Sequence, residues 1–121
     1  MKILTKQAIL EADDRNRELV EVPEWGGSVY IRSMTAAERD LEERRIYDAQ
    51  QGKKGSEGMA NFRARFLART IVDEDGTPLF TMKEVDQLAS KSFAVINRLF
   101  DVSQRVNGIT AEETAAIEGN S

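Results

Sequence analysis

The sequence predicts a single α+β domain that is mostly α-helical, with an N-terminal β-hairpin packed on about four helices. Residues 19–32 alternate β-branched and polar side chains on both sides of a turn-rich segment, the pattern of two strands with one buried face. After residue 35 the apolar residues recur at helical spacing instead. Because an isolated hairpin is marginal in water, this one must pack against the helices that follow. We expect residues 1–118 to form one domain and residues 119–121 to fray.

The reversal of the hairpin is predicted between its two β-branched runs. Pro23 has no N–H to donate to a neighbouring strand, so the first strand should end there. Gly26 and Gly27 can both take positive φ, which a tight reversal requires, and valine at either position is expected to destabilise the fold. Trp25 should then lie at or near the tip.

Helix starts are marked by capping residues. Thr5 predicts a short first helix, with Ile9 and Leu10 as its anchors in the core. Capping boxes of the form Thr-x-x-Glu predict three further helix starts, at residues 35–38, 81–84 and 110–113. The helix from Ala36 to about Gln51 has only a thin apolar stripe, so it is expected on the surface. Residues 50–58 hold three glycines and predict a mobile loop.

Two helices are strongly amphipathic and should form the core. The first spans Met59–Val72 and places its large apolar residues on one face and its arginines, Arg63, Arg65 and Arg69, on a face expected to be solvated. The second spans Ser92–Val106 and carries two adjacent apolar stripes. A face this wide can pack in the core or seat a partner helix. Gly108 suits a left-handed cap after this helix.

Composition argues against several classes of function. The net charge is −4, which disfavours nucleic acid as a partner. With no Cys the chain has no disulfides, thiolate metal ligands or Cys nucleophile, and with no His it lacks the commonest general base and the commonest metal ligand. It also has no apolar run long enough for a membrane span or a signal peptide. We therefore expect a soluble cytoplasmic protein that is not an enzyme and needs no cofactor.

The acidic clusters lack the spacing of a calcium loop and the apolar surroundings of a catalytic acid or base. If Gly76 took the sixth position of a calcium loop, Ile71 and Met82 would fall where the first and twelfth positions need carboxylates. The segment is thus predicted to be a polar turn. None of the adjacent acid pairs sits in an apolar setting that would suit acid–base catalysis; these are Asp13–Asp14, Glu42–Glu43 and Glu112–Glu113.

Aromatic and aliphatic residues are the remaining candidates for a partner site. Trp25 can pack as a lid on the core or stand exposed as a binding anchor, and both readings stay open. The predicted partner-binding residues lie on the hairpin and on the outer stripe of the 92–106 helix; they are Trp25, Tyr30, Phe93, Ile96 and Phe100.

Three segments together resemble one known family. They read VPEWGGSVYIRSMTAAERD, VDEDGTPLF and RLFDVSQRVNGIT, and they occur in the order and spacing of the tail assembly chaperones of long-tailed, siphovirus-type bacteriophages. The likeness runs from about Ile3 to Ile117. No binding residue is carried over with it.

The resemblance implies a chaperone that binds the tape-measure protein, keeps it soluble and helps recruit tail-tube subunits. In this family a longer form made by ribosomal frameshifting is often present, and the present chain would be the short form. The resemblance also implies action in the cytoplasm of the bacterial host and absence from the mature virion. Self-association is left open, and so is an alternative function as a small tail or connector subunit retained in the virion.

Overall fold

The computed structural model describes residues 1–52 and 61–108. Within them the predicted fold class is confirmed, since helices dominate and the N-terminal hairpin forms two strands of a small antiparallel sheet. The elements in chain order are α1 (Lys6–Glu11), β1 (Arg17–Val22), β2 (Gly27–Arg32), α2 (Ala36–Gln50), α3 (Phe62–Thr70), β3 (Ile71–Val72), α4 (Val85–Ala89) and α5 (Phe93–Val106).

The predicted hairpin is confirmed by the antiparallel pairing of β1 with β2. Val20 lies opposite Val29, and Val22 and Ile31 are fully buried on the inner face. The tip is a 3-10 turn over Pro23–Trp25 that is closed by a hydrogen bond from the Gly26 N–H to the Pro23 carbonyl at 3.0 Å.

One of the two glycine predictions is correct. Gly26 has φ +79°, the left-handed region that glycine favours. Gly27 is the first residue of β2 and is not among the positive-φ residues, so the prediction for Gly27 is wrong. The 3-10 turn reverses the chain with a single left-handed residue, and Gly27 is free to pair with Val22.

A third strand occupies two residues that the sequence assigned to the end of a helix. α3 ends at Thr70, and Ile71 pairs with Ile31 of β2 while Val72 pairs with Tyr30. Ile71 and Val72 are both β-branched and buried. Strand pairing with β2 is therefore favoured at these positions over a continuation of α3. The strand order is therefore β1-β2-β3.

The core forms where α3 and α5 pack against each other and against β2. The main cluster joins aliphatic residues from the sheet, α3, α4 and α5, with Ile31, Leu67, Ile71 and Leu99 fully buried. A second cluster consists of three phenylalanines and one methionine: Phe62, Phe66, Phe100 and Met34. The two helices therefore meet through their apolar stripes, as the sequence predicted.

α1 begins as predicted but does not reach the core. The Thr5 hydroxyl accepts a hydrogen bond from the Ala8 N–H at 3.1 Å. Ile9 and Leu10 are 57% and 74% exposed, so the prediction that they anchor the helix is wrong. The link to β1 is held by polar contacts instead, because Arg15 donates two hydrogen bonds to the Ser33 carbonyl.

α2 lies on the surface, with an unexpected buried charge. The Thr35–Glu38 capping box is present in full. Glu42 has no exposed surface and accepts hydrogen bonds from Arg65 at 3.2 Å and Arg69 at 2.8 Å. The predictions that Glu42 faces water and that these arginines form a solvated face are wrong, because the buried Glu42 carboxylate pairs with both guanidinium groups.

The helices after the 73–76 turn follow the predicted boundaries. Asp73 uses its own carboxylate to accept the N–H groups of Asp75 and Thr77, as a polar turn does. The Glu84 carboxylate accepts the Thr81 N–H at 2.8 Å, a 3-10 turn follows, and α4 continues to Ala89. Gly108 follows the C-cap residue of α5 with φ +72°, the predicted left-handed conformation.

Several predictions lie outside the described residues. They concern residues 53–58 of the predicted mobile loop, the predicted helix start at Met59, the capping box at 110–113 with its short helix, and the frayed residues 119–121.

Candidate functional site

A groove opens between the N-terminal end of α3, the end of α4 and the start of α5. Its volume is about 360 Å³. It combines an apolar floor with a polar rim, and the residues that line it are Asn61, Phe62, Arg63, Ala64, Ala89, Lys91, Phe93 and Ile96. Two of the predicted partner-binding residues, Phe93 and Ile96, are among them.

Phe93 is the exposed aromatic residue of the groove. It is the first residue of α5, and 66% of it is exposed. The turn before it is closed by a hydrogen bond from the Lys91 N–H to the Leu88 carbonyl at 3.2 Å, which fixes where α5 begins. Ile96, nearly one helical turn later, is only 5% exposed and belongs to the floor.

Arg63 lies among the aromatic rings beside the groove. The central carbon of its guanidinium is 4.8 Å from the centroid of the Phe62 ring and 5.4 Å from that of Phe93. Its Nε donates a hydrogen bond to the Asn97 side-chain oxygen at 3.2 Å. The prediction that Arg63 belongs to a solvated face is therefore only partly right, since the side chain is half-buried and held by ring faces and an amide.

The rim of the groove carries positive charge in an acidic protein. Arg63 comes from α3 and Lys91 from the turn before α5, and among the lining residues that the structure describes there is no Asp or Glu. The side chain of the lining residue Asn61 donates a hydrogen bond to the Asp86 carboxylate at 2.8 Å. The described part of the lining thus combines apolar side chains with two cationic ones.

Phe100 supports the groove from below and does not reach its surface. It is 1% exposed and packs edge-to-face with Phe62 and Phe66, at centroid distances of 5.4 and 5.5 Å. The sequence placed Phe93, Ile96 and Phe100 together on an outer stripe, but α3 covers Ile96 and Phe100. Of these three, Phe93 alone is exposed.

The hairpin residues lie apart from the lining of the groove. Trp25 is half-buried and packs against the main core, as the packing alternative requires. Tyr30 is half-buried on the other face of the sheet, where the Arg17 guanidinium lies 4.3 Å from its ring centroid.

The hairpin tip is tied to α5 by an ion pair. Both terminal nitrogens of Arg98 donate to the Glu24 carboxylate, at 2.8 and 2.9 Å. These hydrogen bonds lower the pKa of Glu24 from 4.5 to about 2 and raise the pKa of Arg98. The tip is thereby held near the middle of the helix whose first residue is Phe93.

Other kinds of site are not formed by the residues that the structure describes. Within them, no cluster of three or more acidic side chains could hold a metal ion. In the same part of the chain, none of the helices has the length and apolar character that crossing a bilayer requires.

Sequence reasoning missed Arg63 and Lys91 as parts of the site. Lys91 could have been found from the sequence. Helix N-termini usually carry acidic residues, but α5 has no acid in its first turn and a lysine just before its N-cap residue.

Comparisons with known proteins agree on one family. The sequence model described as "Phage tail assembly chaperone" matches residues 4–116. Among solved structures, the tail assembly chaperone of bacteriophage HK97 shares the fold, with a TM-score of 0.58 and 18% identity over 86% of this chain and 94% of that chain. No curated protein has a significantly similar sequence. The protein therefore belongs to the phage tail assembly chaperone family.

Proposed function

We propose that this chaperone binds the tape-measure protein of its phage, keeps it soluble and helps recruit tail-tube subunits while the tail is built. It does so in the cytoplasm of the host and is absent from the finished virion. Family membership supports the general role. The main support for the position of the binding site is Phe93, an exposed aromatic residue at the mouth of an apolar groove.

The groove suits a helical segment with apolar side chains. Amphipathic helices commonly bind by inserting such side chains into a hydrophobic groove. A volume of about 360 Å³ is at the small end for binding pockets, so it takes one or two side chains of a partner. A contact of that size is easily reversed, as a chaperone that leaves its client requires.

The predicted partner-binding residues take different parts in this proposal. Phe93 contacts the partner directly, while Ile96 and Phe100 fix the floor on which it rests. Trp25 steadies the hairpin by packing against the main core, and Tyr30, half-buried on the other face of the sheet, provides a second contact outside the groove. The tail-tube protein is recruited by a longer form of the chaperone, made by frameshifting, that carries an additional C-terminal domain.

Co-expression with the tape-measure protein of the same phage tests the proposal. The wild-type chain should keep the tape-measure protein soluble and co-purify with it. Phe93→Ser should reduce the co-purified amount by about tenfold or more, the effect of removing an aromatic anchor. Leu79→Ser is the matched control, since Leu79 is 52% exposed and lies outside the groove. A tape-measure protein that stays insoluble and unbound with both short and long forms contradicts the proposal.

Mass spectrometry of purified virions tests the proposal that the protein is absent from the finished virion. A chaperone should be missing from them. Detection of this chain at fixed stoichiometry would instead identify it as a structural subunit of the tail or connector.

A further inference from the structure

We infer that β1 is a docking site for a second copy of this chain, which pairs with it antiparallel about a two-fold axis at Leu19. The three-stranded sheets of the two copies then form one continuous sheet of six strands. The pairing is independent of the proposed function, because no residue of β1 is among the described residues that line the groove. It is supported by the open backbone groups of β1 and by the chemistry of the side chains on its outer face, Arg17, Leu19 and Glu21.

β1 is an open edge of the sheet in the part of the chain that the structure describes. The strand order places β2 in the centre, and β1 is paired with β2 alone. The opposite edge is protected, since β3 has only two residues and Val72 forms a further bridge with Pro78. An open edge strand carries unpaired N–H and C=O groups with which a strand of another chain can pair.

β1 lacks several of the features that usually keep sheet edges apart. Edge strands are commonly very short, bulged, or interrupted by Pro or Lys. β1 has six residues, contains neither Pro nor Lys, and pairs residue by residue with β2 without a bulge. Leu19, near its middle, is 57% exposed. The segment before β1 is tied to the end of β2, where Arg15 donates to the Ser33 carbonyl.

The backbone groups that point to the open edge can be identified from one hydrogen bond. The Ser33 N–H donates to the Asn16 carbonyl at 2.9 Å, and these two residues lie opposite each other one position beyond the ladder of β1 and β2. Successive residues of a strand direct their N–H and C=O groups to opposite sides. The even-numbered residues of β1 therefore bond to β2, and Arg17, Leu19 and Glu21 direct their backbone groups to the open edge.

One antiparallel register matches β1 to itself. A two-fold axis at Leu19 places Leu19 opposite Leu19 of the second copy, and Arg17 opposite Glu21. Each of these pairs joins residues whose backbone groups point to the open edge, so each can exchange two hydrogen bonds. Opposite charges that face each other across two strands attract. A shift by two positions instead places Glu18 opposite its own copy, or Leu19 opposite Glu21.

The outer charges of β1 are available for this pairing. The Arg17 guanidinium lies 4.3 Å from the centroid of the Tyr30 ring, and one of its terminal nitrogens donates to the Glu74 carbonyl at 2.6 Å. Because a guanidinium has five N–H donors, it can also donate to a carboxylate of the second copy. Glu21 is exposed and makes no hydrogen bond or ion pair with the residues that the structure describes. Its charge is the one that Arg17 of the second copy would meet.

The pairing also joins the apolar residues on the outer face of the two sheets. Leu19 lies opposite Tyr30, and Tyr30 lies opposite Val72, so an apolar row crosses the sheet and reaches the open edge at Leu19. In the dimer this row continues into the second copy, and the exposed Leu19 is covered by its counterpart. On the inner face, Glu18 brings no unmatched charge to the interface, because Arg105 donates to its carboxylate at 2.6 Å.

Sedimentation of the purified full chain over a range of concentrations tests this inference. The chain should reach twice its monomer mass as the concentration rises. Leu19→Lys places two like charges opposite each other and should raise the dimer dissociation constant about tenfold or more. Leu79→Lys is the matched control, since Leu79 is 52% exposed and lies outside β1, and it should leave the constant unchanged. A monomer at the highest soluble concentration, or association that Leu19→Lys does not weaken, would overturn the inference.

Cysteine cross-linking tests the register separately from the strength of association. The chain contains no Cys, so each single substitution introduces one unique thiol. A mixture of Arg17→Cys and Glu21→Cys chains should form disulfide-linked dimers on mild oxidation, because residues opposite each other in such a ladder lie about 5.5 Å apart. Either chain alone should cross-link far less, since its two thiols are four positions, or ~13 Å, apart along the strands. Equal cross-linking in the mixture and in the separate chains would contradict this register.

Discussion

The Nε atom of Arg65 donates to a carboxylate oxygen of Glu42 at 3.2 Å, and neither side chain is more than 3% exposed. Arg69 donates to the other oxygen of Glu42 at 2.8 Å. These contacts join α2 to α3, and besides Glu42 the only buried residue of α2 is Ile46. The attachment of α2 therefore depends on a buried charge cluster more than on apolar packing.

Removing Glu42 should destabilise the fold strongly. Glu42→Ala leaves Arg65 buried without its carboxylate, and breaking a buried pair in this way typically costs about 3–5 kcal/mol of unfolding free energy. Urea unfolding measures the loss. The control is Glu43→Ala, whose side chain is 57% exposed and pairs with Arg39, and which should change stability by less than about 1 kcal/mol. Equal losses in both variants would show that burial of Glu42 is unimportant.

Substitutions of Phe93 and Phe100, both on α5, should have different effects: loss of Phe93 should impair binding and loss of Phe100 should impair stability. Phe100→Ala removes a ring that is 1% exposed and contacts two others, so unfolding should become easier by about 3–5 kcal/mol. Phe93→Ala removes a ring that is 66% exposed, and stability should change by about 0.5 kcal/mol or less. Thermal and denaturant unfolding of both variants check this. A comparable loss in the two would place Phe93 in the core.

The features predicted correctly from the sequence are those encoded by neighbouring residues. The alternation around Pro23 identifies the hairpin because strand periodicity is local. The capping boxes at Thr35 and Thr81 identify helix starts because both partners lie within one turn. The amphipathic periods of α3 and α5 are local in the same sense.

The features that were missed depend on contacts between distant residues. Glu42 and Arg65 are 23 positions apart, and nothing in a charged helix shows which of its acids will meet an arginine from another helix. β3 continues the apolar pattern of α3, so its strand pairing appears only when Ile71 meets Ile31. Polar contacts from the segment after α1 hold the chain where the sequence predicted apolar anchors.

Only part of the candidate site was predicted, because its accessibility also depends on contacts between distant residues. Two apolar stripes on α5 look equivalent in the sequence, and only packing against Phe62 and Phe66 decides which residues stay accessible. Phe93 was identified because it belongs to one of the two apolar stripes. Arg63 was assigned to the solvent because periodicity cannot foresee the rings that surround it.

The two glycines at the hairpin should respond differently to valine. Gly26→Val forces a β-branched residue to φ +79° and should cost about 1–2 kcal/mol. Gly27 lies in β2, and a Cβ added there meets nothing within 4 Å. Gly27→Val should therefore change stability little, or slightly increase it, because valine favours strands. Melting temperatures of the two variants check this, and a larger loss at Gly27 would contradict the assigned turn.

α1 should contribute little to the stability of the domain. Ile9 and Leu10 are exposed and α1 has no buried residue. Ile9→Ser and Leu10→Ser should each shift the unfolding free energy by about 0.5 kcal/mol or less. The contrast is Leu88→Ala in α4, which is 2% exposed and should cost about 2–5 kcal/mol. A loss at Ile9 or Leu10 close to that of Leu88 would show that α1 packs in solution.

The ion pair between Glu24 and Arg98 should be visible in the titration of Glu24. Its pKa is about 2, below the ordinary 4.5, because Arg98 donates two hydrogen bonds to the charged form. NMR titration of the carboxyl carbon should report that value, and Arg98→Gln should raise it toward 4.5. Since the pKa is lowered on folding, the pair stabilises the native state above about pH 4.5, and this contribution is lost as the pH falls toward about 2. The stability difference between wild type and Arg98→Gln should therefore be present at neutral pH and vanish below the folded-state pKa. A pKa of Glu24 that does not move in Arg98→Gln would mean that the hairpin tip is not tied to α5 in solution.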